Sequence, residues 1–118
     1  MSAVPVSDQS LDQLTSLFRL LGDKTRLNIV LLLAQGERNV TSLTDALSLP
    51  QPTVSHHLGL LRMHNVIGNR RNGKQVFYTL SGPIGVDSHR GMTIDVGEVR
   101  ILIHREGARA QNASANVE

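Results

Sequence analysis

Three basic side chains, Arg70, Arg71 and Lys74, flank an Asn-Gly dipeptide. Arg62 precedes them, and residues 46–86 contain no acidic residue. A run of one charge sign within sequence of ordinary complexity fits a surface that faces phosphates, because neutralised phosphates release their condensed counterions. The alternative is a basic face that is merely solvated. Charge alone therefore leaves both interpretations open.

Polar side chains of a second kind lie at the start of a predicted helix. They are Gln51, Thr53, Ser55 and His56, and they face away from an apolar stripe. A glutamine amide pairs bidentately with adenine, a threonine methyl contacts thymine, and serine and histidine hydrogen-bond to bases or phosphates. We expect these side chains to contact base edges, although a solvated polar face is the alternative. The contacts to phosphates or the minor groove are expected from Arg62, Arg70, Arg71 and Lys74.

Histidines and carboxylates near the C-terminus are of the types that zinc accepts as ligands. Asp87 and His89 lie in one segment and His104 and Glu106 in another. Scattered residues of these types are more often surface residues, so we predict no metal site and no cofactor, with a metal site as the alternative. His57 is expected on the core side of its helix, as a packed histidine with one hydrogen bond.

The composition excludes several classes of protein. The chain has 118 residues and no cysteine, which fits one small domain and excludes disulfides and thiolate metal sites within it. It has no glycine-rich phosphate loop and no nucleophile with a matching base, so an enzyme is not expected. No stretch approaches the roughly 20 apolar residues that cross a bilayer, and the N-terminus lacks a secretion signal. We expect a cytoplasmic protein that does not bind membranes.

The hydrophobic periodicity predicts two helices at the start of the folded part. Helix one is capped by Ser10 and ends at Gly22. Its apolar residues follow a helical spacing: Leu11, Leu14, Leu17, Phe18 and Leu21. Asp23 caps a second, broadly apolar helix that ends at Gly36.

A helix-turn-helix is predicted over about residues 41–64. A short helix begins at Thr41, the segment 48–50 breaks it, and Pro52 suits the first turn of the next helix. The apolar stripe of this last helix consists of Val54, Leu58 and Leu61. Two helices joined by a tight turn, the second with a polar outer N-terminal face, are typical of this motif.

Alternating residues predict two β-hairpins after the helices. The first, over residues 66–80, turns at Asn72-Gly73, a dipeptide that favours a turn with two left-handed residues. A basic hairpin directly after such a helix is a wing. The second, over residues 91–104, turns at Gly97 and places six apolar residues on one face. Its expected pairs are Val96 with Val99, Ile94 with Ile101 and Met92 with Ile103.

Together these elements predict an α+β fold, mainly α, of the winged helix-turn-helix type with a second β-hairpin. The winged-helix DNA-binding domain is expected over residues 10–106. Residues 1–9 are expected to form a disordered N-terminus and residues 107–118 a disordered tail, since both are poor in apolar residues.

Three separated segments resemble one known family. They are LGDKTRLNIV (residues 21–30), QPTVSHHLGLL (51–61) and RRNGKQVFYTL (70–80). In content and order they are similar to the arsenical-resistance-operon-repressor (ArsR/SmtB-type) family of winged-helix regulators. The resemblance implies a dimeric transcription regulator, usually a repressor that releases its operator on binding an effector.

Two departures from that family concern metal binding. Metal-sensing members carry a Cys-Val-Cys type motif where this chain has Asn39-Val40-Thr41. Other members bind zinc on a last helix, where this chain is predicted to have a hairpin. No motif of the sequence identifies an effector.

The expected partners are double-stranded DNA and a second copy of the chain. One domain covers about half a turn of duplex, so a homodimer on an inverted-repeat operator, with half-sites about 10 base pairs apart, supplies the specificity. The apolar face of the C-terminal hairpin is one candidate dimer interface, with packing of that face against its own domain as the alternative. Helix one is the other, through Leu14, Leu17, Phe18 and Leu21. The rival function is a winged-helix protein-interaction module without specific DNA binding.

Overall fold

The structure, a computed structural model, describes residues 4–104 and residue 106. In chain order the elements of these residues are α1 (Asp8–Leu21), α2 (Lys24–Ala34), β1 (Arg38–Asn39), α3 (Val40–Leu47), α4 (Gln51–Met63), β2 (Ile67–Asn72), β3 (Gln75–Leu80), β4 (Ile84–Val86), β5 (Met92–Val96) and β6 (Val99–Ile103). No helix among them is long and apolar enough to cross a membrane. The predicted disordered tail, residues 107–118, lies outside the described residues.

Side-chain caps determine where the first two helices begin. The Ser7 hydroxyl, not that of Ser10, accepts the backbone N–H at the start of α1. The helix therefore begins at Asp8, so it includes the last two residues of the segment 1–9 that was predicted to be disordered. Ser10 is instead buried, and its hydroxyl donates a hydrogen bond to Glu98 at 3.1 Å. Asp23 caps α2 as predicted, accepting the N–H of Arg26 at 3.0 Å.

The two helices of the predicted helix-turn-helix are α3 and α4. Asn39 caps α3, which begins at Val40, one residue before the predicted start. Ser48 adopts a left-handed conformation with φ of 54°, which ends α3, and Pro52 lies in the first turn of α4. The predicted apolar stripe of α4 is confirmed as buried: Val54, Leu58 and Leu61.

The predicted wing consists of β2 and β3, but its turn differs from the prediction. Asn72 pairs with Gln75, so the two turn residues are Gly73 and Lys74. Gly73 alone has a positive φ, of 65°, so one left-handed residue closes the turn where two were expected. The two-residue strand β1 adds to the outer side of β3 and was not predicted.

The second hairpin has the predicted register and belongs to a larger sheet. Its three expected pairs all form between β5 and β6. The short strand β4, which was not predicted, adds to the other side of β5. Ile84, Met92, Ile94 and Val96 are buried in the same apolar cluster as residues of all four helices. The C-terminal sheet is therefore part of one core with the helices.

Candidate nucleic-acid interface

The polar face of α4 begins with a side chain that is held in place. The Gln51 side-chain amide donates a hydrogen bond to the Ser55 hydroxyl at 2.8 Å. Gln51 and His56 are exposed, whereas Thr53 and Ser55 are half-buried. Helical spacing of four and seven residues places Gln51, Ser55 and Arg62 along one side of α4. These three predicted contact residues thus share one side of α4, whereas Thr53 and His56 lie elsewhere around the helix.

His57 lies on the opposite side of α4 and fixes the helix to its neighbours. Its side chain is 14% exposed. Its Nδ1 accepts a hydrogen bond from the Arg26 guanidinium at 3.3 Å, as predicted for a packed histidine. Arg26 also donates to the backbone oxygen of Leu20. The pKa of Asp23 is lowered, chiefly because its carboxylate accepts the backbone N–H of Arg26. These contacts connect α1, α2 and α4 beneath the polar face.

Arg70 is paired with an acidic residue that the acid-free run of sequence did not reveal. Its guanidinium makes two hydrogen bonds to the carboxylate of Glu37, one of them at 3.1 Å from Nε. It also lies over the Phe77 ring, 5.1 Å from the centroid. This pairing lowers the pKa of Glu37. The charge of Arg70 is therefore compensated, and no local sequence signal links residues 33 positions apart.

Three other basic residues of the predicted interface keep uncompensated charges. Arg62, Arg71 and Lys74 are exposed, and within the described residues their side chains have no hydrogen-bond or ion-pair partner. Arg71 is paired with Val76 across the wing, while Arg70 is paired with Phe77. Successive strand residues point to opposite faces, so the two neighbouring arginines lie on different faces of the wing.

The C-terminal histidines approach each other at one end of the second sheet. The rings of His89 and His104 are 6.5 Å apart between centroids. One oxygen of Asp87 accepts the backbone N–H groups of His89 and Gly91, and the Gly91 N–H is the main cause of its lowered pKa. No group of three or more potential metal ligands occurs among residues 4–104 and 106.

The four residues of helix one that were predicted to form a dimer interface differ in exposure. Leu14, Leu17 and Leu21 are buried within their own chain, whereas Phe18 is 50% exposed. Leu11, about two helical turns before Phe18, is also exposed. Of the four, only Phe18 thus has a side chain exposed enough to contact another molecule.

Comparison with known proteins supports the assignment of a family. A family model described as "Bacterial regulatory protein, arsR family" matches residues 23–67. The transcriptional repressor BigR from Xylella fastidiosa has a solved structure that is 35% identical in sequence, with a TM-score of 0.61 over 64% of this chain and 76% of BigR. This chain belongs to the arsR family. The arsR-family match ends at residue 67, so β3 and the C-terminal sheet lie beyond it.

Two further proteins that are similar to this chain differ in how much of it they match. The arsenical resistance operon repressor of Escherichia coli K12 is 50% identical over 66 residues, which are 55% of this chain and 56% of that protein. The chain thus matches about half the length of this relative. The homodimeric winged helix-turn-helix DNA-binding domain Mb0332 from Mycobacterium bovis is 32% identical, with a TM-score of 0.57 over 68% of this chain and 77% of that domain. These similarities confirm the predicted winged helix-turn-helix fold.

Proposed function

We propose that this chain is a sequence-specific, DNA-binding transcriptional repressor that acts as a homodimer. The observation that carries the proposal is the exposed polar face of α4 next in sequence to a wing with uncompensated basic residues. A helix of this kind enters the major groove, and basic residues beside it neutralise phosphates. The proposed DNA-binding domain extends over residues 10–106.

The residues of the interface have separate roles in this proposal. Gln51, Thr53, Ser55 and His56 contact base edges, and the hydrogen bond between Gln51 and Ser55 restricts the glutamine before DNA arrives. Phosphate contacts come from Arg62, Arg71 and Lys74. Arg70 has a different role, because its pairing with Glu37 holds the wing against the segment before β1. In this proposal Arg70 makes no phosphate contact of its own.

The family supports an outline of how DNA binding is controlled. The E. coli relative is named a repressor of an arsenical resistance operon. This chain has no cysteine, so an effector that releases it from DNA acts without thiolate ligands from this chain. The operator is an inverted repeat, because a two-fold dimer presents two identical helices to the duplex.

Substitution of Gln51 tests whether this side chain recognises a base pair of the operator. Gln51→Ala should reduce discrimination between the best operator and its single-base variants by about 1–3 kcal/mol at one base pair per half-site. Binding to a scrambled duplex should change little, because the phosphate contacts remain. Fluorescence anisotropy at physiological salt, with the promoter fragment upstream of the gene and its base-substituted variants, measures both quantities.

A control on the same helix and two contrary outcomes make this test decisive. Met63→Ala removes an exposed side chain at the other end of α4 and should leave discrimination unchanged. An equal loss on the promoter and the scrambled duplex would contradict the base-reading role of Gln51. Equal, weak binding of the unsubstituted protein to both duplexes would favour the rival protein-interaction module.

A further inference from the structure

The outer edge of β6 carries backbone groups that pair with no other described residue. The sheet order is β4-β5-β6, so β6 pairs with β5 on one side only within the described residues. The N–H of Asp95 donates to Pro83 on the β4 side, at 2.9 Å. Because backbone groups alternate in direction along a strand, the opposite residue, Arg100, points its N–H and C=O away from β5, and so does Leu102. Two residues of β6 therefore present donors and acceptors that no residue of the ranges 4–104 and 106 pairs with.

The side chains of β6 do not protect this edge. Exposed edges are usually blocked by proline, lysine, inward charges or bulges. Here Leu102 is 50% exposed on one face, and Val99, Ile101 and Ile103 are half-buried on the other. The single charged residue, Arg100, is held by Asp95 on the neighbouring strand, with Nε and Oδ1 2.6 Å apart. An open, apolar edge of five residues is a template for another strand.

The sequence of β6, Val-Arg-Ile-Leu-Ile, is complementary to itself when two copies run antiparallel. With Ile101 opposite the partner's Ile101, Val99 lies opposite the partner's Ile103, and all the paired residues of that face are apolar. Arg100 then lies opposite the partner's Leu102. These two residues carry the outward backbone groups, so each such pair exchanges two hydrogen bonds and the symmetric interface has four.

Other registers of the same strands are less favourable. A shift by two residues in one direction places Arg100 opposite the partner's Arg100, and directly opposed like charges destabilise strand pairing. The same shift in the other direction leaves only three residues paired. A shift by one residue sets the core face of one strand against the solvent face of the other. Charge and apolar pattern thus select one register about a two-fold axis.

From this edge we infer that two copies of the chain dimerise by pairing β6 with β6, which forms a continuous six-stranded sheet across the two-fold axis. The inference rests on the homodimer of the proposed function and names its interface. It assigns dimerisation to the C-terminal sheet, which lies outside the arsR-family match, and not to Phe18 of helix one.

Two substitutions at Leu102 distinguish the backbone contact from the side chain. Proline has no N–H, and the Leu102 N–H is not used within its own sheet, so Leu102→Pro removes two of the four hydrogen bonds between copies. We expect it to raise the dimer dissociation constant of the full chain about tenfold or more in sedimentation equilibrium without DNA. Leu102→Ala keeps the N–H and should stay within about threefold of the unsubstituted chain.

A second variant separates loss of the β6 interface from loss of the fold, and the measurements are made without DNA. If Phe18→Ser dissociates the dimer while Leu102→Pro does not, helix one is the interface and the inference is wrong.

Amide hydrogen exchange tests the same strand pairing in the unsubstituted protein, so its result does not depend on whether a variant folds. The N–H groups of Arg100 and Leu102 should become more protected as protein concentration rises. Fast exchange of both at every concentration would overturn the pairing, even if specific DNA binding were found.

Discussion

Replacing both Arg71 and Lys74 with glutamine should lower the affinity for any duplex by up to about a thousandfold at roughly 0.15 M salt. Each phosphate contact adds about 0.9 to the slope of log affinity against log salt. A dimer loses four such contacts, so the slope should fall by about 3.6, which at this salt concentration is about three orders of magnitude. The loss should be nearly equal for promoter and scrambled DNA. Anisotropy titrations at several salt concentrations measure the slope directly.

Arg70→Gln supplies the matched control for the wing. Arg70 is adjacent to Arg71 but already compensated by Glu37, so its removal should change the salt slope much less than Arg71→Gln. The lowered pKa of Glu37 keeps this pair ionised at any pH used for DNA binding, so the contrast should persist from neutral to mildly acidic buffer. If the double variant retained the full slope, the wing would not contact phosphates.

The pattern of apolar residues predicted those elements that are long enough to show a period. The alternation on both sides of Gly97 correctly gave the pairing of Val96 with Val99, because a shift by one residue would expose the whole apolar face. The start of α2 followed from Asp23, whose side chain satisfies an N–H that the helix leaves unpaired. Strands β1 and β4, of two and three residues, are too short to show a period and were missed.

Contacts between distant residues account for the other differences from prediction. Arg70 reaches Glu37, and Ser10 reaches Glu98, across 33 and 88 positions of sequence. Nothing near either residue signals such a partner. The wing turn shows the same limit, because the Asn72-Gly73 dipeptide favours a local turn but the pairing along β2 and β3 extends one residue further. The structure also brought Glu37 to a surface that the sequence alone indicated as free of acid.

Gly82 connects the wing to the C-terminal sheet at a point where no other residue fits. It adopts a φ of 60°, and a Cβ there would overlap the backbone carbonyl oxygen of Asn65. That oxygen cannot move freely, because the next residue, Val66, is buried and accepts the N–H of Ser81 at 2.9 Å. Gly82→Ala should therefore lower the free energy of unfolding through both backbone strain and overpacking.

The expected loss for Gly82→Ala is about 2–5 kcal/mol, the sum of about 1–2 kcal/mol for a left-handed alanine and about 1–3 kcal/mol for the overlap. Gly73→Ala isolates the first contribution, since Gly73 has a similar φ of 65° but no atom within 4 Å of the added Cβ. Urea denaturation of both variants at one fixed protein concentration gives the comparison, because dimerisation makes stability depend on concentration. Equal losses in the two variants would mean that the chain relaxes around Asn65 and that the close approach at Gly82 does not constrain how the C-terminal sheet joins the wing.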